Sequence, residues 1–192
     1  MLRAEAGATL GRRRHTWSAK DAMLNLLFRR LTAEPARGAG LFAAVTAEAR
    51  RPGWYVDGQV ADSLDGRFAV LATICALVLV RLEREGIEGD TASVALTERF
   101  IEVMESEHRE LGIGDPGLGK QVRKLVGALS VRTDKWREAV AGSRDWNEVT
   151  RESIYRGAGS DEAVAYSAAA LRDWADRLDK RGLEAIRNGQ IG

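Results

Sequence analysis

One cysteine, two histidines and three prolines are all that 192 residues hold of the types that most often build chemical sites or interrupt helices. A lone thiol, Cys75, excludes an internal disulfide, and its apolar surroundings make it a small buried hydrophobe suited to a reducing compartment. With one cysteine and no histidine pair, zinc has no ligand set. Met104 and His108 stand i, i+4 on one helix face and cannot ligate opposite sides of a haem, while His15 falls in the basic N-terminal segment. A Ser-His-Asp arrangement would have to recruit His108 from a glutamate-rich helix, and the carboxylate pairs Glu105/Glu107 and Asp62/Asp65 read as solvated faces or turn caps. The residues thus offer no catalytic set, metal centre or cofactor site, and the chain is expected not to be an enzyme.

Long hydrophobic runs are also missing. The longest, Phe68–Val80, has thirteen residues between Arg67 and Arg81, against about 20 for a bilayer span, and reads as a buried core helix. Nor is there an excess of charge, since 29 basic residues meet 28 acidic ones, which excludes a nucleic-acid binder held by overall charge alone. The balance is uneven, however: residues 1–37 carry eight basic and three acidic side chains, with Arg12, Arg13 and Arg14 adjacent. No secretory apolar core follows, so residues 1–17 read as a flexible basic tail, with an Arg-rich transit peptide as the alternative.

What is present is helical period. Met23, Leu24, Leu27, Phe28 and Leu31 predict a first helix over about 18–32, and the small-residue stretch Leu41–Arg50 predicts a second, ended by Pro52 and Gly53. Residues 51–66 form the one long irregular stretch, with three glycines, three aspartates and the adjacent Trp54 and Tyr55. A core helix is expected over about 66–86, closed by Gly86 and Gly89, and the next is expected to be capped by Asp90 or Thr91 and to stop at Gly112. Another begins near Gly117. Asp145 with Glu148 resembles an acidic capping box opening a helix through Tyr155, and Ser160 caps a last long helix with Val164, Ala168, Leu171, Trp174 and Leu178 inward. The terminal Gly-Gln-Ile-Gly is expected to fray. No segment alternates at period two, so the fold class is all-α, a compact bundle of about seven helices, in which 146–192 pack on the domain formed by 18–145.

Two local patterns invite chemistry. Gly114 to Lys120 formally satisfies the GxxxxGK spacing of a phosphate loop, but Gln121 replaces the Ser/Thr that would hold Mg²⁺, Pro116 lacks an N–H, and a helix precedes. Its plainer reading is a helix C-cap and a sharp turn. Arg50, Arg51, Trp54, Tyr55 and Arg67 could stack on and hold a single-stranded nucleic acid; alternatively the aromatics plug the loop onto the core and the arginines pair with Asp62 or Asp65.

Three stretches carry a likeness: Ala49-Arg50-x-Pro52-x-Trp54-Tyr55, then Val60-x-Asp62-x-x-Asp65-Gly66-Arg67-Phe68, and Phe100-x-x-x-Met104-Glu105-x-x-x-Arg109-Glu110-Leu111-Gly112-Ile113-Gly114-Asp115-x-Gly117-x-Gly119-Lys120-x-Val122-x-Lys124. Over about residues 24–145 the chain resembles the ubiquinol–cytochrome c chaperone family. It departs from the family pattern at Trp54, where a Phe-Tyr pair is common, and at Ala69, where Asp often follows Arg-Phe.

The resemblance implies an assembly chaperone without a chemical reaction or a small-molecule substrate. Its partner would be nascent or newly inserted cytochrome b of the respiratory bc1 complex. The basic tail is a candidate for contact with the ribosome or the inner-membrane surface, and a small partner subunit is a further candidate. Arginine outnumbers lysine 24 to 5, as in GC-rich genomes, which together with the short chain suggests a bacterial member at the cytoplasmic face of the inner membrane. An apolar helix as client calls for an apolar groove with a charged rim. The expected client-binding residues are Trp54, Tyr55, Asp65, Arg67, Phe68, Arg109, Asp115 and Lys120. The competing account makes Arg67 and Arg109 internal partners of Asp65, Glu105 or Asp115. The alternatives of another class are a small helical nucleic-acid-binding protein using Arg12–Arg14 and the aromatic loop, and a nucleotide-binding enzyme using Gly114–Lys120.

Overall fold

The computed structural model describes residues 38–110 and 115–192, with the side chains of 107–119, 121 and 122 excepted. The expected first helix, the basic tail, and the side chains of His108, Arg109 and Asp115 lie outside the described residues. Seven α-helices and two 3₁₀ turns follow, and no strand occurs among the described residues: α1 Ala39–Ala49, α2 Leu64–Leu82, α3 Gly86–Glu110, α4 Asp115–Val140, α5 Trp146–Tyr155, α6 Asp161–Asp179 and α7 Leu183–Arg187, with 3₁₀ turns at Pro52–Trp54 and Glu83–Glu85. Residues 36–192 make one compact unit.

The Phe68–Val80 run becomes the axis of this unit. Ala72 through Val78 are all buried, so α2 has no solvent face in its middle turns, as befits a helix apolar on every side. Around it pack α1, α3, α4, α5 and α6. The helix opens at Ser63, whose Oγ accepts from the Gly66 N–H at 3.2 Å, with Asp65 in the first turn. The two caps read at α5 and α6 are also in place. Asp145 accepts from the N–H groups of Asn147 (2.9 Å) and Glu148 (3.0 Å), and Ser160 from Ala163 (3.2 Å). Val164, Ala168, Leu171, Trp174 and Leu178 are buried as the period requires.

Elsewhere the boundaries move. α2 ends at Leu82, a 3₁₀ turn follows, and α3 starts at Gly86 itself, so Asp90 and Thr91 lie within the helix instead of capping it. Thr91 turns its hydroxyl back to donate to the Ile87 carbonyl at 3.0 Å. The C-terminus does not fray. Gly189, at φ +74°, lies so close to α1 that a Cβ there would come within 2.3 Å of the Gly40 carbonyl oxygen, and Ile191 is only 1% exposed. Backbone approach of this kind needs glycine on both elements, and it ties the chain end to α1. Among the described residues no helix is long and apolar enough to cross a membrane.

Candidate functional site

The loop between α1 and α2 is held from its aromatic side chains outward. Trp54 is 2% exposed and its indole N–H donates to the Glu48 carbonyl at 2.8 Å, while the half-buried Tyr55 hydroxyl donates to the Ala49 carbonyl at 3.0 Å. Both rings thereby cap the C-terminal end of α1, whose last carbonyls lack helical partners. The Tyr55 hydroxyl titrates above its ordinary value, chiefly because burial disfavours the phenolate. Beneath them Glu48, 5% exposed, accepts from Arg51 at 2.9 Å and from Arg177 of α6 at 2.8 Å. The far side of the loop is fixed by Tyr155 of α5. Its hydroxyl lies at hydrogen-bond distance from the carbonyls of Gly58 and of Ala163 (2.9 Å) and from Ser167 Oγ (2.7 Å), so it donates to one carbonyl while able to accept from the serine.

The second motif occupies the start of α2. Asp62 accepts from Arg67 Nε at 2.6 Å, a bond that draws the Asp62 pKa below its ordinary value, and Asp65 pairs with Arg156 at 3.1 Å, joining α2 to the end of α5. All four side chains are exposed. Gly66 is required by space: a Cβ there would stand 2.0 Å from the Ala61 carbonyl oxygen. Phe68 is half-buried, its ring 6.0 Å from that of Phe100 on α3 and under the guanidinium of Arg132 on α4 at 5.6 Å. Leu64, 61% exposed, stands one helical turn before it on the same face.

The structure thus brings Asp65, Arg67 and Phe68 together at one end of α2, and sets Trp54 and Tyr55 into the neighbouring loop as its internal supports. Lys120 is exposed on α4. The GxxxxGK segment is helical from Asp115 onward, so Gly117, Gly119 and Lys120 belong to the first turns of α4 and not to a loop wrapped around phosphate.

Beside Phe68 a cleft of about 290 Å³ opens between α4 and α5, lined by Gly127, Ala128, Val131, Arg132 and Lys135 of the one and Glu152 and Ser153 of the other. Val131 is 56% exposed at its edge. Lys135 donates to Glu152 at 2.7 Å, and Arg144 binds the same carboxylate at 2.9 Å, which together pull the Glu152 pKa below its ordinary value. Arg132 has no carboxylate partner among the described residues. It donates to the carbonyls of Ala128 (3.4 Å) and Ser153 (3.2 Å), and its Nε is a buried donor with no acceptor. Burial first, and the charge of Arg156 second, lower its pKa from the usual arginine value. Sequence reading passed over Arg132 and Glu48, yet each left a signal. Arg132 follows Leu125 and Leu129 at i+7 and i+3, and Glu48 follows Leu41 and Val45 in the same way, charges standing where the apolar period calls for core residues.

Comparisons with known proteins agree with this architecture. The model of a family described as ubiquinol-cytochrome C chaperone matches residues 56–191, a span that begins past the Trp54-Tyr55 pair and takes in α5, α6 and α7. Among solved structures, the crystal structure of the Cbp3 homolog from Brucella abortus superposes with a TM-score of 0.71 at 25% sequence identity, covering 88% of this chain and 95% of that one. No curated protein matches the sequence. The chain belongs to the ubiquinol-cytochrome C chaperone family.

Proposed function

We propose that this protein is an assembly chaperone that binds newly made cytochrome b and assists assembly of the respiratory bc1 complex, acting peripherally at the cytoplasmic face of the inner membrane. The family match over residues 56–191 carries the reading, and the structural likeness to the Cbp3 homolog supports it. The client surface we place at the N-terminal end of α2, where exposed Leu64 and half-buried Phe68 offer apolar area and Asp65, Arg67 and Arg156 supply a charged rim. Trp54 and Tyr55 serve this surface by fixing the loop whose outer face carries Val56, 71% exposed. Lys120, exposed on α4, is a further candidate from the third motif, and so by sequence alone are Arg109 and Asp115, whose side chains lie outside the described residues. A ribosomal or lipid contact through the basic N-terminal segment, and a small partner subunit, belong to the same proposal.

The test is the reduced-minus-oxidised haem spectrum of membranes from a strain deleted for the gene, beside a complemented strain and an oxidase control. Selective loss of the cytochrome b signal of the bc1 complex, restored by the wild-type gene, supports the reading. An unchanged spectrum with normal bc1 turnover refutes it. Salt-insensitive attachment of the chain to membranes and ribosomes would refute the electrostatic role of the N-terminal segment.

A further inference from the structure

The walls of the cleft between α4 and α5 carry two hydrogen-bond donors that find no acceptor among the described residues. Arg132 Nε is buried and unpaired, and so is the hydroxyl of Ser153, a residue only 4% exposed on the opposite wall. A buried donor without a partner costs about 1–3 kcal/mol, and more when it is charged, so two on adjoining residues of facing walls leave this cleft short of an acceptor. The surrounding charges sharpen the demand. Lys135 is satisfied by Glu152, Glu152 also by Arg144, and Arg156 by Asp65, whereas Arg132 spends two of its five N–H groups on neutral backbone carbonyls. One positive charge therefore stands uncompensated at the cleft among the described residues.

We propose that this cleft is a carboxylate-accepting subsite, in which Arg132 and Ser153 receive an acidic side chain from an otherwise apolar client segment. The inference rests on the chaperone reading and names the chemistry by which the client is recognised. A single negative charge balances Arg132, while a phosphate dianion would leave an excess beside the Glu152 carboxylate. The segment around the carboxylate is apolar because the cleft's outer wall is. Val131 and Ala128 present carbon, and at Gly127 a Cβ would meet nothing within 4 Å, which leaves room for a chain to lie across α4. Phe68, under the same guanidinium, joins the subsite to the apolar end of α2.

The experiment uses the purified full chain and two labelled Ala/Leu helical peptides of about 18 residues, five turns, identical except for one central Glu or Gln. The Glu peptide should bind roughly tenfold more tightly, about 1.4 kcal/mol. Arg132→Met should abolish that difference by weakening the Glu peptide more than the Gln peptide; Ser153→Ala should narrow it. Arg132→Lys, which keeps the charge but loses the planar fork, should retain part of it. Melting curves of all three establish that they fold. Equal affinity for the two peptides, including no binding of either, overturns the proposal, and so does a Glu preference that survives in Arg132→Met. Displacement of the Glu peptide by inorganic phosphate better than by acetate overturns the carboxylate assignment. The deletion strain separates this inference from its premise. If the bc1 haem signal is normal without the gene, the chaperone reading fails. If the signal is lost and Arg132→Met restores it fully, while the two peptides bind alike, the subsite alone is refuted.

Discussion

Gly66→Ala is a substitution for which helix propensity and packing predict opposite signs. Gly66 lies in the first turn of α2, and replacing a helical glycine with alanine ordinarily stabilises by about 0.5–1 kcal/mol. Here the new Cβ would sit 2.0 Å from the Ala61 carbonyl oxygen and 3.3 Å from Val60 Cγ1. The first of these is backbone, already engaged as acceptor for the Ser63 N–H at 2.8 Å, so it cannot swing aside as a side chain would. Either the loop shifts, an overpacking cost of about 1–3 kcal/mol, or the first turn unravels and forfeits the Ser63 cap, about 1 kcal/mol. Set against the propensity gain, the net loss should be about 0.5–2 kcal/mol, or about 2–4 °C of melting temperature per kcal/mol. Gly127→Ala is the matched control: also helical, exposed, and with nothing within 4 Å of the added methyl, it should gain about 0.5–1 kcal/mol. Urea unfolding followed by circular dichroism measures both midpoints at constant slope. A Gly66→Ala protein as stable as wild type or more so, with Gly127→Ala rising beside it, would refute the steric account of the turn.

Truncating either partner of the link between Glu48 on α1 and Arg177 on α6 should cost about 2–4 kcal/mol, discounted from the fully buried case because Arg177 is 24% exposed, and a double-mutant cycle of Glu48→Ala with Arg177→Ala should return a coupling of about 1 kcal/mol or more; additive losses would deny the link. Cys75, fully buried with its thiol pushed up to about 12, should resist a thiol reagent in the native protein and react at the rate of global unfolding. Its raised folded pKa also sets a sign: stability from the protonated thiol is complete below the unfolded value of 9.0 and is lost as pH climbs from there toward 12, a loss that Cys75→Ala should remove. Glu152 behaves oppositely. Its pKa is depressed by Lys135 and Arg144, so its contribution is present above the ordinary 4.5 and fades as pH falls below it, and Glu152→Gln should flatten the acid limb of a melting-temperature profile there.

How far the sequence foretold this structure depends on what kind of interaction set each feature. Local signals carried through: Asp145 and Ser160 cap where side-chain oxygens three residues ahead of an apolar period should, and the α6 face from Val164 to Leu178 is the buried one. Glycine misled where its role was tertiary. Gly86 and Gly89 read as a break, yet a Cβ at Gly89 would stand 2.0 Å from the Leu82 carbonyl, so its absence lets α3 begin directly against the end of α2. The close pass of Gly189 on Gly40 is likewise a contact between backbones, invisible to any hydrophobic period, and it buries Ile191 where fraying was expected. The site followed the same division. Asp65, Arg67 and Phe68 could be named together because they sit within one short motif, whereas Arg132 and Ser153 meet only when α4 packs on α5.

On the proposed reading, that packing would let the turn motif govern client capture without touching the client. Gly66 lets the loop at Ala61 press against α2, the Asp65–Arg156 pair ties the same turn to the end of α5, and Phe68 lies between Phe100 of α3 and the guanidinium of Arg132 on α4. One turn of α2 therefore bears on both walls of the cleft. A substitution at Gly66 or Asp65 that abolishes client capture would accordingly be ambiguous by itself, because it can act by displacing α4 from α5. Arg132→Met removes the charge together with the guanidinium's contacts to Phe68 and the Ser153 carbonyl, and leaves Gly66 and the Asp65–Arg156 pair in place. If Gly66→Ala weakens both model peptides equally while Arg132→Met weakens the acidic one more, the motif shapes the surface and the arginine reads the client.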